Sequence, residues 1–291
     1  MDKESNWQND IWYSEYCMND VKLSLKVDML HVEQTPFQRL EMMRTETFGT
    51  VMTLDGYIQV TEKDEFIYHE MISHVPMAVN PAARRILIIG GGDGGTAREI
   101  ARYGHIERID MVEIDEAVVR ACERHMPSTA AVLSSEPRLR LRFDDGLAFV
   151  RDAEDGSYDL IIVDSTDPDG PGEGLFTMDF YRDCHRALTD EGILINQHES
   201  AYYPDEREIM RKSHLKLKEV FPIAKVYGFN MPTYASGYWY FGFASKKHDP
   251  VADCRADEWQ NMRLKTKYYN AEIHKASFAL PNYVKEVLEM P

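Results

Sequence analysis

The rhythm of apolar and polar positions changes near residue 60. Before it, short runs at 23–27, 37–43 and 51–54 alternate imperfectly, the texture of half-buried antiparallel strands. Asp55-Gly56 separates 51–54 from 57–60, and that dipeptide accepts the positive φ of a two-residue hairpin turn. A small antiparallel β domain is therefore expected at 1–61. Its short strands leave edges that a curl of the sheet, the main domain or another subunit must cover. From 62 to about 77, Phe66, Ile67, Glu70, Met71 and Val75 recur at helical spacing. Beyond them, strand-like runs at 86–89, 108–115, 139–143, 158–163 and 192–197 alternate with helical stretches at 96–103, 116–124 and 178–188. A polar helix at 205–219, strands at 223–229 and 238–244 and a short last helix complete a second domain, 62–291. The run 86–89, apolar throughout, suits a parallel strand covered on both faces. Five such strands closed by a final pair predict a Rossmann-like α/β sheet of the methyltransferase type.

The chemistry gathers at the strand ends. Strand 86–89 runs straight into Gly90-Gly91-Gly92-Asp93-Gly94-Gly95, whose glycines at 90, 92 and 95 permit a tight turn and close backbone approach to a ligand. Glu113 follows 18 residues after Gly95, at a strand end where a carboxylate can accept from both ribose hydroxyls. These features point to a nucleoside site. Asp93 narrows its kind, because a fixed negative charge opposes a pyrophosphate and favours a sulfonium or ammonium group. Asp145-Gly146 ends the third strand, where an acid can accept from an adenine amino group; Asp144 and Asp145 read equally well as a surface turn. Asp164 and Asp167 border the end of the most apolar strand, either as a catalytic or cation-binding pair or as caps of the next helix. A loop rich in glycine and proline follows at 169–174, as a substrate flap would. Tyr234 lies in the loop between the last two strands, while Tyr240 and Phe241 are expected to pack. Tyr68 and His69 are expected to face the cleft. His69 and His74, five apart on a helix, diverge by about 140° and do not face one metal ion.

Charge and cysteine usage narrow the partners. Thirty-three basic against 49 acidic residues give a net charge of −16, which opposes nucleic acid and anionic membrane and favours cationic small molecules. The four cysteines have neither metal-ligand nor disulfide-framework spacing, and no apolar targeting or membrane-spanning run is present. A soluble protein of a reducing compartment, the cytoplasm, is expected. With many strand-end carboxylates and no dominant lysine or arginine, a closed cleft needs cationic ligands to offset its own repulsion. Asp164 is the expected base for an attacking amine.

The glycine loop, Glu113-Ile114-Asp115, Asp145-Gly146, residues 164–168 and 231–234, together with 61–71 and 267–270, resemble those of the spermidine synthases, a family of polyamine aminopropyltransferases. The likeness extends over nearly the whole chain. It implies transfer of the aminopropyl group of decarboxylated S-adenosylmethionine, a co-substrate rather than a resident cofactor, to putrescine, without a metal. It also implies that Asp164 is the base and that Trp12, Tyr68, Asp167 and Tyr234 hold the diamine. Gln38, His69, Asp93, Glu113, Asp145 and Gly146 would contact the donor beside Gly90, Gly91, Gly92, Gly94 and Gly95. A homodimer formed through the N-terminal domain is a further implication. Ala235, where relatives commonly have proline, and His69, where glutamine also occurs, depart from the pattern. Another acceptor (cadaverine, agmatine or spermidine), a class I methyltransferase and a noncatalytic polyamine sensor remain as alternatives.

Overall fold

A computed structural model describes residues 10–166 and 170–290. Five strands come first: β1 (Ile11–Met18), β2 (Val21–Gln34), β3 (Arg39–Thr45), β4 (Gly49–Leu54) and β5 (Tyr57–Thr61), paired antiparallel in that order. The Asp55-Gly56 hairpin forms as expected, with φ of 48° and 91° at its two residues and Leu54 paired to Tyr57. This sheet curls. The Tyr13 hydroxyl on β1 donates to the Gly56 carbonyl, and Glu15 Oε2 accepts from Ile58 N on β5 at 2.8 Å. One face of the sheet contributes Leu40, Met42, Met52, Leu54 and Val60 to the main core; the other closes a small core of Leu25, Val27, Met43, Val51 and Ile58.

The second part alternates helix and strand. It runs α1 (Glu65–Val79), β6 (Arg85–Gly90), α2 (Gly95–Ala101), β7 (Arg108–Glu113), α3 (Glu116–His125), β8 (Leu139–Phe143), α4 (Gly146–Arg151) and β9 (Tyr158–Asp164). A 3₁₀ turn at Gly170–Phe176 leads to α5 (Met178–Ala187), β10 (Leu188–Gln197), α6 (Pro204–Val220), β11 (Ile223–Asn230) and β12 (Tyr238–Ser245). The tail carries α7 (Ala256–Asn261), α8 (Ala271–Ser277) and α9 (Asn282–Glu289). The sheet order is β11-β12-β10-β9-β6-β7-β8, with β12 antiparallel to both neighbours and the other pairings parallel. Ile86 and Ile88 face the core shared with α1, whereas Leu87 and Ile89 face the core with Phe180 of α5 and Leu217 of α6. Both faces of the strand are thus dry, the reason its sequence shows no polar alternation. The chain leaves β6 toward β7 and β8 and returns on β6's other side as β9, so a switch point opens between Gly90 and Asp164.

Several boundaries differ from the sequence reading. β1 was not expected, and β2 extends to residue 34 rather than stopping at 27, because its second half leaves Met29, Leu30 and Val32 exposed and loses the one-sided alternation. The short helices α4, α7 and α8 have too few turns to give a periodic signal.

Candidate active site

A cavity of about 390 Å³ lies above the switch point. At its floor, Gly90 pairs with Asp164 and Gly91 N donates to the Asp164 carbonyl at 2.7 Å. The loop crosses so close that a Cβ on Gly90, whose φ is +80°, would stand 2.1 Å from that carbonyl oxygen. Only glycine meets both demands. The crossing brings the acid of the glycine loop beside the acid of the next strand. Asp164 Oδ2 accepts from Thr96 Oγ1 at 2.6 Å, and the Tyr68 hydroxyl is a second hydrogen-bond partner. Burial and the Asp93 charge raise the Asp164 pKa against the pull of His69, Thr96 and Tyr68, which makes its carboxylate a stronger base than one in water. Burial, followed by the charge of Asp164, pushes the Tyr68 phenol well up, so it stays a neutral donor.

His69 stands behind this pair as a buried cation. Its Nδ1 lies 2.6 Å from Glu65 Oε2 and its Nε2 3.2 Å from Asp93 Oδ1. Burial opposes the charge, but Asp93 and Glu65 outweigh it and raise the imidazole well above its ordinary value. Arg98 grips Glu65 with two bonds of 3.1 and 2.8 Å. Although burial works the other way, His69 and Arg98 bring the Glu65 pKa down to about 2. His74 joins a different network, with Tyr103 and Glu99 at 2.7 and 3.1 Å, so the two histidines face different partners.

The end expected to take a nucleoside is set by capping. Glu113 Oε1 accepts from Asp115 N at 2.9 Å; burial, reinforced by the charges of Asp115 and Asp164, pushes its pKa up to about 7. Asp115 caps α3 through Ala117 N and accepts from Thr35 Oγ1 and Gln38 Nε2 at 2.8 and 3.0 Å. The β2–β3 connection is thereby tied to the end of β7, and Gln38 is aimed into the cavity wall. Asp145 caps α4 through Leu147 N at 2.8 Å, as the turn reading has it, and also lines the cavity with Gly146.

The opposite end is aromatic. Tyr68 and Tyr234 meet with ring centroids 6.4 Å apart, and Tyr234 packs edge-on against Trp239 at 4.7 Å. The Tyr234 loop is latched down: Asp64 Oδ2 accepts from Thr233 N and Oγ1 at 3.1 and 2.7 Å, and the Tyr234 hydroxyl donates to the Gln59 carbonyl at 2.8 Å. Tyr240 and Phe241 are buried in packing, as expected.

Of the residues singled out in the sequence, Gln38, Tyr68, His69, Gly90, Gly91, Gly92, Asp93, Glu113, Asp145, Gly146, Asp164 and Tyr234 share this one wall. Gly94 caps α2 from behind and Gly95 packs against His69. Asp167 lies outside the described residues. Trp12 is a correction: it is 60% exposed and not part of the wall, because β1 turns alternate side chains inward and gives those positions to Glu15 and Cys17. Sequence reasoning also passed over Glu15, Gln59, Gln197, Glu206 and Trp239, all in the wall. Gln197 ends β10, and the strand-end rule that flagged Asp164 could have found it. Among the described residues the wall carries seven carboxylates, Glu15, Glu65, Asp93, Glu113, Asp145, Asp164 and Glu206, and no lysine or arginine.

Known proteins match on both parts of the chain. Residues 65–255 match the model of the spermine/spermidine synthase domain, and residues 11–62 that of the spermidine synthase tetramerisation domain. A polyamine aminopropyltransferase of Clostridium acetobutylicum is 60% identical over 281 residues, covering 96% of this chain and 98% of the relative. Its counterpart in Alkaliphilus oremlandii is 55% identical over the same length and coverage. A spermidine synthase solved in complex with the transition-state analogue AdoDATO superimposes with a TM-score of 0.92 at 39% identity, covering 96% of this chain and 94% of that one. The spermidine synthase of Thermotoga maritima gives 0.90 at 38%, with the same coverage. With two family models spanning most of its length and relatives this similar end to end, the chain belongs to the spermidine synthase family of polyamine aminopropyltransferases.

Proposed function

We propose that the protein transfers the aminopropyl group of decarboxylated S-adenosylmethionine to putrescine, giving spermidine, 5′-methylthioadenosine and a proton. The observation that carries this reading is the wall of seven carboxylates without a lysine or arginine. Such a cavity repels anions and gains from each cation it admits, and the sulfonium donor and the diamine are both cations. A methyltransferase must instead hold the carboxylate of intact S-adenosylmethionine, for which this wall offers no lysine or arginine.

The chemistry follows from the residue placements. An amine of pKa near 10.4 is neutral in about one molecule in a thousand at pH 7.4, a cost of about 4 kcal/mol. Asp164, made more basic by burial and Asp93, accepts the proton as nitrogen attacks the carbon next to sulfur. The C–S bond breaks, its electron pair returns to sulfur, and a neutral thioether leaves without need of an acid. Tyr68, Tyr234 and Trp239 supply aromatic faces and hydroxyls that hold the alkyl ammonium on the line of attack. Glu113 accepts from the ribose and Asp145 from the adenine, while Gln38, His69 and Asp93 surround the aminopropyl end.

Isotope-labelled donor mixed with putrescine and followed by product chromatography tests the reading. Methylthioadenosine with spermidine supports it; S-adenosylhomocysteine, or unchanged ligands, overturns it. A panel of cadaverine, agmatine and spermidine beside putrescine fixes the acceptor. The exposed apolar side chains Ile11, Trp12, Tyr16, Met29 and Val32 of β1 and β2 support association of subunits through this hairpin. A homodimer, with Trp12 in the interface, is the assembly proposed, and light scattering after gel filtration measures it.

A further inference from the structure

A second cavity, of about 540 Å³, opens between the later turns of α6, the start of β11 and the tail. Its character is opposite to that of the first. Lys218 of α6, Lys225 of β11 and Lys285 of α9 line it, and none of them makes an ion pair with another described residue. In a chain of net charge −16, three lysines around one cavity form a local basin for anions, although Asp249 of the same wall lies close enough to Lys225 to feel its charge. Its wall also holds His214, 6% exposed, whose Nδ1 has no hydrogen-bond partner. Burial, with the charges of Lys218 and Lys225, keeps that imidazole neutral by pulling its pKa down to about 4.

Two carboxylates also touch the cavity. Asp249 is engaged with the backbone N–H groups of Val251 and Ala252, both at 2.9 Å, and Glu289 lies exposed at the end of α9. The rest of the wall is apolar, with Val226, Phe278, Leu280 and Leu288. Lysines on one side and a hydrocarbon and aromatic surface on the other suit a molecule with two unlike ends, and the volume falls in the range of small-molecule sites.

We propose that this cavity binds a phosphate-bearing small molecule of the nucleotide class, its phosphates among Lys218, Lys225 and Lys285 and its body against Phe278 and Leu288. The carboxylate wall of the first cavity repels such a ligand, which separates the two sites.

Calorimetric titration of the full-length protein with ATP, and separately with inorganic pyrophosphate, without divalent metal and at low salt, tests this. The expected result is one saturable ATP site, unaffected by prior saturation with 5′-methylthioadenosine and weakened at least tenfold in the Lys218→Gln/Lys285→Gln variant. Pyrophosphate is expected to bind more weakly at the same site. A thermal melt of the variant matching the parent shows that the fold is intact; the lysine side chains tie no elements together by ion pairs. Absence of saturable ATP binding, binding that survives both lysine substitutions, or displacement by methylthioadenosine overturns the site. Equal affinity for pyrophosphate and ATP overturns the role given to the apolar wall.

Discussion

The two ends of the active-site cavity are built by different means. The nucleoside end is made of consecutive residues at strand ends: the glycine loop after β6, Glu113 and Asp115 after β7, Asp145 and Gly146 after β8. Their positions are fixed by ladder register and helix caps, so backbone geometry places the chemistry. The amine end is assembled from Glu15 of β1, Gln59 of β5, Gln197 of β10, Glu206 of α6 and the Tyr234 loop, segments far apart in the chain, held by side-chain contacts such as Asp64 with Thr233. One end is specified locally and the other by tertiary structure. In the reaction proposed above, the donor would occupy the first end and acceptor choice would belong to the second.

Asp164 sits on the seam, and its loss is expected to have the largest effect. Asp164→Asn keeps the shape and removes the basic oxygen. Turnover should fall about 10²–10⁴-fold, the range of general base catalysis, with donor binding largely retained. Single-turnover rates beside equilibrium donor binding check this; undiminished turnover would refute the assignment.

The nucleoside end should break through its backbone. A Cβ on Gly95 would stand 2.2 Å from His69 Cε1, so Gly95→Ala must displace the imidazolium that bridges Glu65 and Asp93. Overpacking of this kind costs about 1–3 kcal/mol. Denaturant unfolding should show that loss and donor affinity should fall with it, while Gly104→Ala, with open space around the new methyl, should be nearly neutral.

The amine end should break through its latch without touching the donor. Asp64 is buried, and Asp64→Asn sets an amide where one carboxylate accepts from Thr233 and from Thr61. Thr61 must then reverse its hydroxyl to accept from the amide, and bonds to a charged acceptor become bonds to a neutral one, a loss of about 1–2 kcal/mol. The KM for the diamine should rise roughly tenfold with donor affinity unchanged, and Thr233→Val should reproduce part of the effect. If donor and acceptor affinities fell together, the division between the two ends would be wrong.

The same division explains what could be read in the sequence. Glu113 was legible because its strand is apolar and the spacing from the glycines is short. Glu15 was not, since β1 is an edge strand whose alternation is broken by Trp12 and Tyr16 turned outward, so neither the strand nor its inward carboxylate gave a signal. Trp239 was hidden by an aromatic strand in which every other ring packs, and only its indole N–H, 3.2 Å from Gln197 Oε1, distinguishes it. The latch was invisible for a different reason. Asp64 and Thr233 are 169 residues apart, and only the folded sheet brings them together.

The smallest effect is a pH dependence at the nucleoside end. Without donor, burial and the Asp115 and Asp164 charges set the Glu113 pKa at about 7. To accept from both ribose hydroxyls the side chain must be ionised, and a sulfonium in the cavity favours that form and lowers its pKa. Donor binding thus releases the proton that Glu113 holds below pH 7. The sign follows: affinity rises with pH up to about 7 and levels off above it, with a limit of tenfold per unit on the acid side. Donor titrations from pH 5.5 to 8.5 should show this bend, and Glu113→Gln should remove it while lowering affinity at pH 8. His69 cannot produce the bend, because Asp93 and Glu65 keep it charged across that range. A bend unchanged in Glu113→Gln would place the titrating group elsewhere and remove the ribose role from this carboxylate.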